Sequence, residues 1–354
     1  MALAYDAFLL VSFGGPERPE DVEPFLDNVL RGRPVPRERR EEVARHYLDR
    51  GGKSPINEQN RALLSALEPA LSARFPGMRL YWGNRNWHPM LADTVRRMRQ
   101  DGVRRALALA TSAFGSYSGC RQYREDIEAA RETAGDGAPE IEKLRLFYSH
   151  PGFVAAVAAG ARQALERIPA GRRAAAGLLF TAHSIPLAMA AVSPYEAQLR
   201  LAAGWVATAL GREDWRLGYQ SRSGSPRQPW LEPDVAAQLA RMAGEGRRDV
   251  VVVPIGFLSD HMEVVHDLDV EAREEAERLG VNMERAATPG SRPELVAAIV
   301  SLVAERMAGE APQAMPGARD DKSCKGDCCR VVTGTAATET PPAVRTRTSH
   351  APDG

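Results

Sequence analysis

The stretch Val250-Val-Val-Val-Pro-Ile-Gly-Phe-Leu-Ser-Asp-His-Met-Glu263 decides how the chain is read. Its apolar half, Val250–Ile255, has the unbroken β-branched character of a strand buried on both faces, as in parallel sheets. Gly256 breaks the run, and Ser259 or Asp260 offers an N-cap for a following helix. Along that helix Asp260, Glu263, Asp267 and Glu271 recur at three- and four-residue intervals, near one line on one face, with His261 beside them. Like charges at that spacing destabilise a helix, so the row is either a solvated acidic face or a path for cations. It starts at the carboxyl end of a buried strand, where open α/β sheets place their ligand sites, and this favours the path.

Outward from that stretch, strand-like runs occur at Ala7–Ser12, Arg79–Trp82, Ala106–Thr111, Leu144–Phe147, Gly177–Thr181 and Arg216–Gln220. Helical patterns lie between them at Asn60–Arg74, Leu91–Asp101, Gly152–Arg167, Ala197–Leu210 and Pro233–Ala243. This alternation predicts an α/β chain with parallel sheets covered by helices on both faces. A glycine- and proline-bearing pause near Gly135–Pro139 divides the pattern into an N-terminal domain, 1–145, and a C-terminal domain, 146–290, with a cleft between them. Residues 291–310 read as a final amphipathic helix able to return to the first domain. Residues 311–354 turn to Ala, Pro, Gly and Thr and read as a flexible, cysteine-containing tail.

At 354 residues, with 44% hydrophobic and 26% charged, the composition is that of a soluble globular protein. Lys plus Arg equals Asp plus Glu at 46 each, so no basic excess points to nucleic acid. No apolar run approaches the ~18 residues of a membrane span, and no signal-peptide pattern opens the chain, so a cytoplasmic location is expected.

The four cysteines are Cys120, Cys324, Cys328 and Cys329, three of them in one short polar segment of the tail. In a cytoplasmic protein such a set argues for metal over disulfides, and its spacing leaves an iron–sulfur cluster, zinc and no metal open. A centre joining Cys120 to the tail would pin that tail to the first domain. A second half-site is Leu178-Leu-Phe-Thr-Ala-His-Ser-Ile-Pro186, where His183 follows another buried strand. A lone histidine is commonly structural. Yet two strand ends of one sheet can bring this imidazole and the Asp260–Glu263 carboxylates into one crevice. Gly51-Gly-Lys-Ser54 lacks the glycine spacing and preceding strand of a phosphate-binding loop.

Taken together, Ser12-Phe-Gly-Gly-Pro16, Gly52-Lys-Ser-Pro-Ile-Asn57, Thr181-Ala-His-Ser-Ile-Pro186, Tyr219-Gln-Ser221, Pro229-Trp-Leu-Glu-Pro233 and Pro254–Glu263 resemble the ferrochelatases, in the right order over residues 4 to 310. Tyr81-Trp-Gly-Asn-Arg-Asn-Trp-His-Pro89 and Ser116-Tyr-Ser-Gly-Cys-Arg-Gln-Tyr-Arg-Glu125 resemble the actinobacterial branch, whose members insert Fe(II) into coproporphyrin III to give coproheme. The resemblance implies two Rossmann-like domains around a porphyrin cleft. It implies His183 and Glu263 as the metal-site pair, and Ser54 and Tyr123 as porphyrin contacts. It also implies a [2Fe–2S] cluster on Cys120, Cys324, Cys328 and Cys329, and a downstream haem-synthesis enzyme to receive the product.

Asp267 and Glu271 would then relay Fe(II) inward or protons outward, while His183 acts as base or as iron ligand. Arg31, Arg33, Arg45, Lys53, Ser54, Arg85, Asn86, Arg121 and Tyr123 are donors suited to the four propionates of coproporphyrin. Phe13 departs from the pattern. Many coproporphyrin-using relatives have tyrosine there, able to ligate the product iron axially, and phenylalanine cannot. Protoporphyrin IX as substrate, or a haem or iron–sulfur sensor on a chelatase scaffold, are the competing readings.

Overall fold

The computed structural model describes residues 5–32, 35–223, 228–318 and 328–330. The first half runs β1 (Ala7–Ser12), α1 (Val22–Val29), α2 (Arg37–Leu48), α3 (Ile56–Arg74), β2 (Arg79–Asn84), α4 (Leu91–Gln100), β3 (Arg105–Ala110), α5 (Gln122–Ala134) and β4 (Glu140–Lys143). The second begins with α6 (Pro151–Arg167), α7 (Ala170–Arg173), β5 (Gly177–His183), α8 (Leu187–Ala191) and α9 (Tyr195–Ala209). It continues through β6 (Arg216–Gln220), α10 (Val235–Gly244), β7 (Asp249–Val253), α11 (Met262–His266), α12 (Ala272–Arg278), β8 (Asn282–Arg285) and α13 (Pro293–Met307).

The strands form two four-stranded parallel sheets, ordered β2-β1-β3-β4 and β6-β5-β7-β8. This is the two-sheet α/β architecture the alternation predicts. Two edge strands escape sequence reading. The fourth strand is Glu140–Lys143, just upstream of the expected Leu144–Phe147, and β8 has no counterpart among the expected strands. Both are short and partly exposed, so charged residues interrupt their apolar signal; Leu144 and Phe147 are buried as linker.

Alternate side chains of each central strand feed different cores, as a two-residue repeat requires. Phe8 and Leu10 of β1 join Leu178 and Phe180 of β5 in one continuous core built with residues of α3, α6, α9 and α13. Ala7, Leu9 and Val11 face α4 and α5 on the outside, and Leu179, Val250 and Val252 face α10 and α12. The last helix packs on both α6 and α3, so it ties the halves together. Residues 311–318, expected in the tail, are instead seated on the body. Met315 donates its N–H to the Ser149 carbonyl at 2.8 Å, and Arg145 reaches the Gln313 carbonyl at 2.9 Å.

Sheet order also fixes where the loops meet. In each sheet the order in which strands are added switches sides at the central pair, β1/β3 and β5/β7, and loops at the carboxyl ends of such pairs diverge to leave a crevice. After β7 the chain crosses directly over the end of β5: a Cβ on Gly256 would lie 2.7 Å from Ala182 Cβ and 2.8 Å from its Cα. Gly256→Ala is therefore expected to lose about 1–3 kcal/mol, because backbone must move to make room. Gly204→Ala, mid-helix with its nearest neighbour 4.0 Å away, should gain about 0.4–1 kcal/mol. Denaturant midpoints of the two variants check both signs.

Candidate active site

The crossing at Gly256 carries the following loop past the end of β5, where His183 is the last strand residue. Glu263 lies in the first turn of α11, and its Oε2 stands 3.6 Å from His183 Nε2. His183 Nδ1 is 2.5 Å from the Ser184 carbonyl, an acceptor only, so Nδ1 carries a proton, and in the neutral ring Nε2 is the nitrogen left to accept one. The backbone here is held too, with the Tyr195 hydroxyl donating to the His183 carbonyl at 3.0 Å. His183 is about a third exposed and Glu263 about half, so both present atoms to the crevice.

A second imidazole flanks the same carboxylate. His261 Nδ1 lies 3.8 Å from Glu263 Oε2, and burial holds this ring below the usual histidine range. Sequence analysis noted His261 without giving it a role. An apolar wall closes the other side: Phe25 packs edge-on against Phe13, Tyr47 and Trp87, at centroid distances of 6.2, 5.6 and 6.3 Å. Met262 joins this cluster from the second half of the chain. The Asp260 N–H donates to Gln59 Oε1 of α3 at 2.8 Å, a further tie across the crevice.

The acidic row is not the straight line that helical spacing predicts. Neither Ser259 nor Asp260 caps a helix; α11 starts at Met262, after His261 in an extended conformation. Asp260 leaves the row altogether and pairs with Arg285 at 3.1 Å. Residues Asp267–Glu271 form a π-helical turn, in which a spacing of four no longer returns to the same face. Asp267 thus turns toward the end of β6, hydrogen-bonded to Ser221 and 3.4 Å from Gln220 Nε2. Ser221 adopts a left-handed backbone, φ 61°, that a non-glycine residue holds only at a cost. Glu271 pairs instead with His266 at 3.3 Å, and that ring stacks on His46 of α2 at 3.6 Å.

Ser54 and Tyr123 lie on the first-domain side, and both are buried, at 1% and 5% exposure. Ser54 donates its N–H to the Pro16 carbonyl at 2.8 Å and abuts Gly15. The Tyr123 ring lies under the Arg85 guanidinium at 4.7 Å, and Arg85 is itself paired with Asp126. Phe13 lies on the same cation, 5.8 Å away. Of the other donors, Arg31 binds Asn28, Lys53 pairs with Glu58 and Arg121 with Glu125. Arg33 and Cys324 fall outside the described residues.

Three cysteines from distant parts of the chain converge. Cys120 and Cys329 are buried, Cys328 is partly so, and none is in a disulfide. Burial, and next the neighbouring Cys120, raise the Cys329 thiol above its ordinary range, while Cys328 hydrogen-bonds to it. Arg121 holds the Cys328 carbonyl at 3.1 Å. Among the described residues, no three His, Cys, Asp or Glu side chains stand together as a group able to hold a metal ion.

The ferrochelatase family model matches residues 5–307. The chain belongs to the ferrochelatase family. A protein named coproporphyrin III ferrochelatase from Nocardia farcinica is 51% identical over 341 residues, covering 92% of this chain and 97% of the relative. A protein named ferrochelatase from Rhodopirellula baltica is 52% identical, covering 92% and 93%. Among solved structures, SirB from Bacillus subtilis with Fe3+ superposes with TM-score 0.53 at 12% identity, over 86% of this chain and 97% of that one. At that identity the likeness concerns the fold, which is the chelatase one.

Asp267 supplies a pH test. Burial, reinforced by the charges of Glu263 and Glu271, pushes its carboxyl up to about 7. The folded state therefore keeps a proton that the unfolded chain has released, from the ordinary carboxylate range up to about 7. Raising the pH across that interval costs stability, and above it the loss is complete. Asp267→Asn should remove this dependence: between pH 5 and 8 its melting temperature should fall less than that of the unaltered protein, in parallel thermal scans.

Proposed function

We propose that this chain inserts Fe(II) into coproporphyrin III, forming coproheme, with His183 and Glu263 as the metal-site pair. The observation that carries the assignment is the His183–Glu263 contact at the β5/β7 switch point, facing an aromatic wall. The coproporphyrin III ferrochelatases about 50% identical over most of the chain support the substrate.

Chemistry dictates what such a site has to do. Fe(II) sheds its waters and replaces two pyrrole protons, so each turnover releases two protons. The apolar wall of Phe13 and Trp87, backed by the fully buried Phe25, suits one face of a macrocycle and excludes water. His183 Nε2, with its lone pair free of the Ser184 bond, accepts one pyrrole proton. Glu263, while ionised, balances the charge of the arriving cation, and it accepts the other proton as the metal passes into the ring. Asp267, its carboxyl pushed up to about 7 by burial, is suited to passing protons to solvent near neutral pH, while Glu271 is paired with His266. Tyr123, under the Arg85 guanidinium, and Ser54, against Gly15, would support the porphyrin side of the crevice. A sensor reading is disfavoured because the imidazole–carboxylate pair is intact.

His183→Ala should lower anaerobic Fe(II) insertion by roughly 10²–10⁴-fold while porphyrin still binds, by fluorescence quenching. Near-normal turnover would remove the site assignment. Compared side by side, coproporphyrin III should be metallated faster than protoporphyrin IX, and the reverse order would move the enzyme to protohaem formation.

A [2Fe–2S] cluster on Cys120, Cys324, Cys328 and Cys329 is part of the proposal. What supports it is that Cys120 and Cys329 approach each other from two ends of the chain with Cys328 beside them; the three described thiols alone do not form a metal-holding group. When bound, the cluster would supply a structural cross-link between the tail and α5. Anaerobically purified protein should show visible cluster absorbance that Cys324→Ser or Cys120→Ser removes; unchanged spectra would exclude ligation by that residue. We place the reaction in the cytoplasm, supported by the undisulfided thiols, and infer transfer of product to a downstream haem-synthesis enzyme. Among the described residues no helix is long and apolar enough to cross a membrane.

A further inference from the structure

We propose that Arg285 is a positioning residue for metal insertion, one guanidinium that fixes both ends of the segment carrying Glu263 and Asp267. The inference rests on the assignment of His183 and Glu263 above.

Arg285 is the last residue of β8, registered opposite Val252 of β7, and the next N–H, of Ala286, bonds the Val252 carbonyl at 2.8 Å. Its backbone is thus as fixed as the sheet. From there the side chain meets two carboxylates at once. Nη1 and Nη2 reach Asp260 Oδ1 and Oδ2 at 3.1 and 3.2 Å, while Nε and Nη2 reach Asp269 Oδ1 and Oδ2 at 2.6 and 3.0 Å. Two forked contacts on one planar cation are geometrically demanding, and only arginine offers them. The cluster is largely buried, with Arg285, Asp260 and Asp269 side chains 15%, 14% and 26% exposed.

The two aspartates sit at the ends of one short stretch. Asp260 precedes His261, and Asp269 lies inside the π-helical turn. Between them are Glu263 and Asp267. A segment containing an irregular turn and several like charges has little intrinsic preference for one shape. Clamping both ends to β8 gives Glu263 a defined position relative to His183, which ends β5 of the same sheet, one strand beyond β7. The role is therefore geometric, and a positive charge alone does not fill it.

The test compares Arg285→Lys, Arg285→Met and Asp269→Asn in the full chain, by anaerobic steady-state insertion of Fe(II), porphyrin fluorescence quenching and thermal melts. Both arginine variants should lose roughly 10–100-fold in kcat/KM for Fe(II), with porphyrin affinity changed less than about twofold. Asp269→Asn, which keeps the Asp260 fork, should shift the same quantity in the same direction by less, and it carries the test if the arginine variants do not fold. Wild-type Fe(II) kinetics in Arg285→Lys would overturn the proposal, as would porphyrin affinity falling in step with Fe(II) insertion. His183→Ala, run alongside, separates the two readings. If it retains turnover, the site assignment fails; if it is inactive while Arg285→Lys is normal, only the positioning role fails.

Discussion

Parallel pairing of β5 with β7 is the constraint on which the site depends. Because the two strands lie side by side in the same direction, both end at the same edge. The residues following them are then forced into one small volume. His183 arrives from one strand and the Asp260–Glu263 loop from the other, and Gly256 lets the second chain pass within contact distance of Ala182. A side chain at Gly256 would lift the loop away from the imidazole. The 3.6 Å approach of His183 and Glu263 is thus a consequence of sheet order and of one missing Cβ. It needs no special attraction between the two groups.

That edge then has a charge problem. Asp260, Glu263, Asp267, Asp269 and Glu271 come within one stretch of chain, and several are withdrawn from water. Each is handled differently. Arg285 takes Asp260 and Asp269. Glu271 stays near solvent beside His266. Glu263 faces the crevice between two imidazoles. Asp267 has, among the described residues, Ser221 and Gln220 as hydrogen-bond donors, and burial lets it hold its proton up to about pH 7. The groups neutralised by arginine are held in place; on the proposed assignment Glu263 and Asp267, with no arginine or lysine partner among the described residues, are the ones left to the metal and the proton.

Much of this was legible in the sequence because the signals were local. The β-branched run before Pro254 marked a buried parallel strand, and alternation with helical patterns marked the fold class. What escaped depends on information a one-residue or one-helix pattern does not hold. Edge strands β4 and β8 are half-exposed and read as polar linker. The role of Arg285 lies in a strand that was itself invisible. The departure of Asp260 from the acidic row follows from that same arginine, and the π-helical turn breaks the four-residue rule on which the row was read. Residues 311–318 look like tail by composition, yet Met315 finds an apolar seat against the core and Arg145 a carbonyl to hold.

The two halves of the molecule bear on the cleft unequally. The second sheet supplies the groups with reactive protons, His183, His261, Glu263 and Asp267. The first supplies chiefly bulk: Phe13, Phe25, Tyr47 and Trp87 stand around the approach to Glu263, close enough that its charge adds to burial in raising the Tyr47 hydroxyl. Beyond the shared apolar core, the contacts at the cleft itself include Gln59 with the Asp260 amide, the His46–His266 stack and Met262 in the aromatic cluster. All three fall on the single segment between Asp260 and His266. Any movement of α2 or α3 against the second domain is therefore felt first by the loop that carries Glu263. On the proposed assignment, the aromatic wall beside the substrate and the carboxylate that receives its proton are mechanically joined.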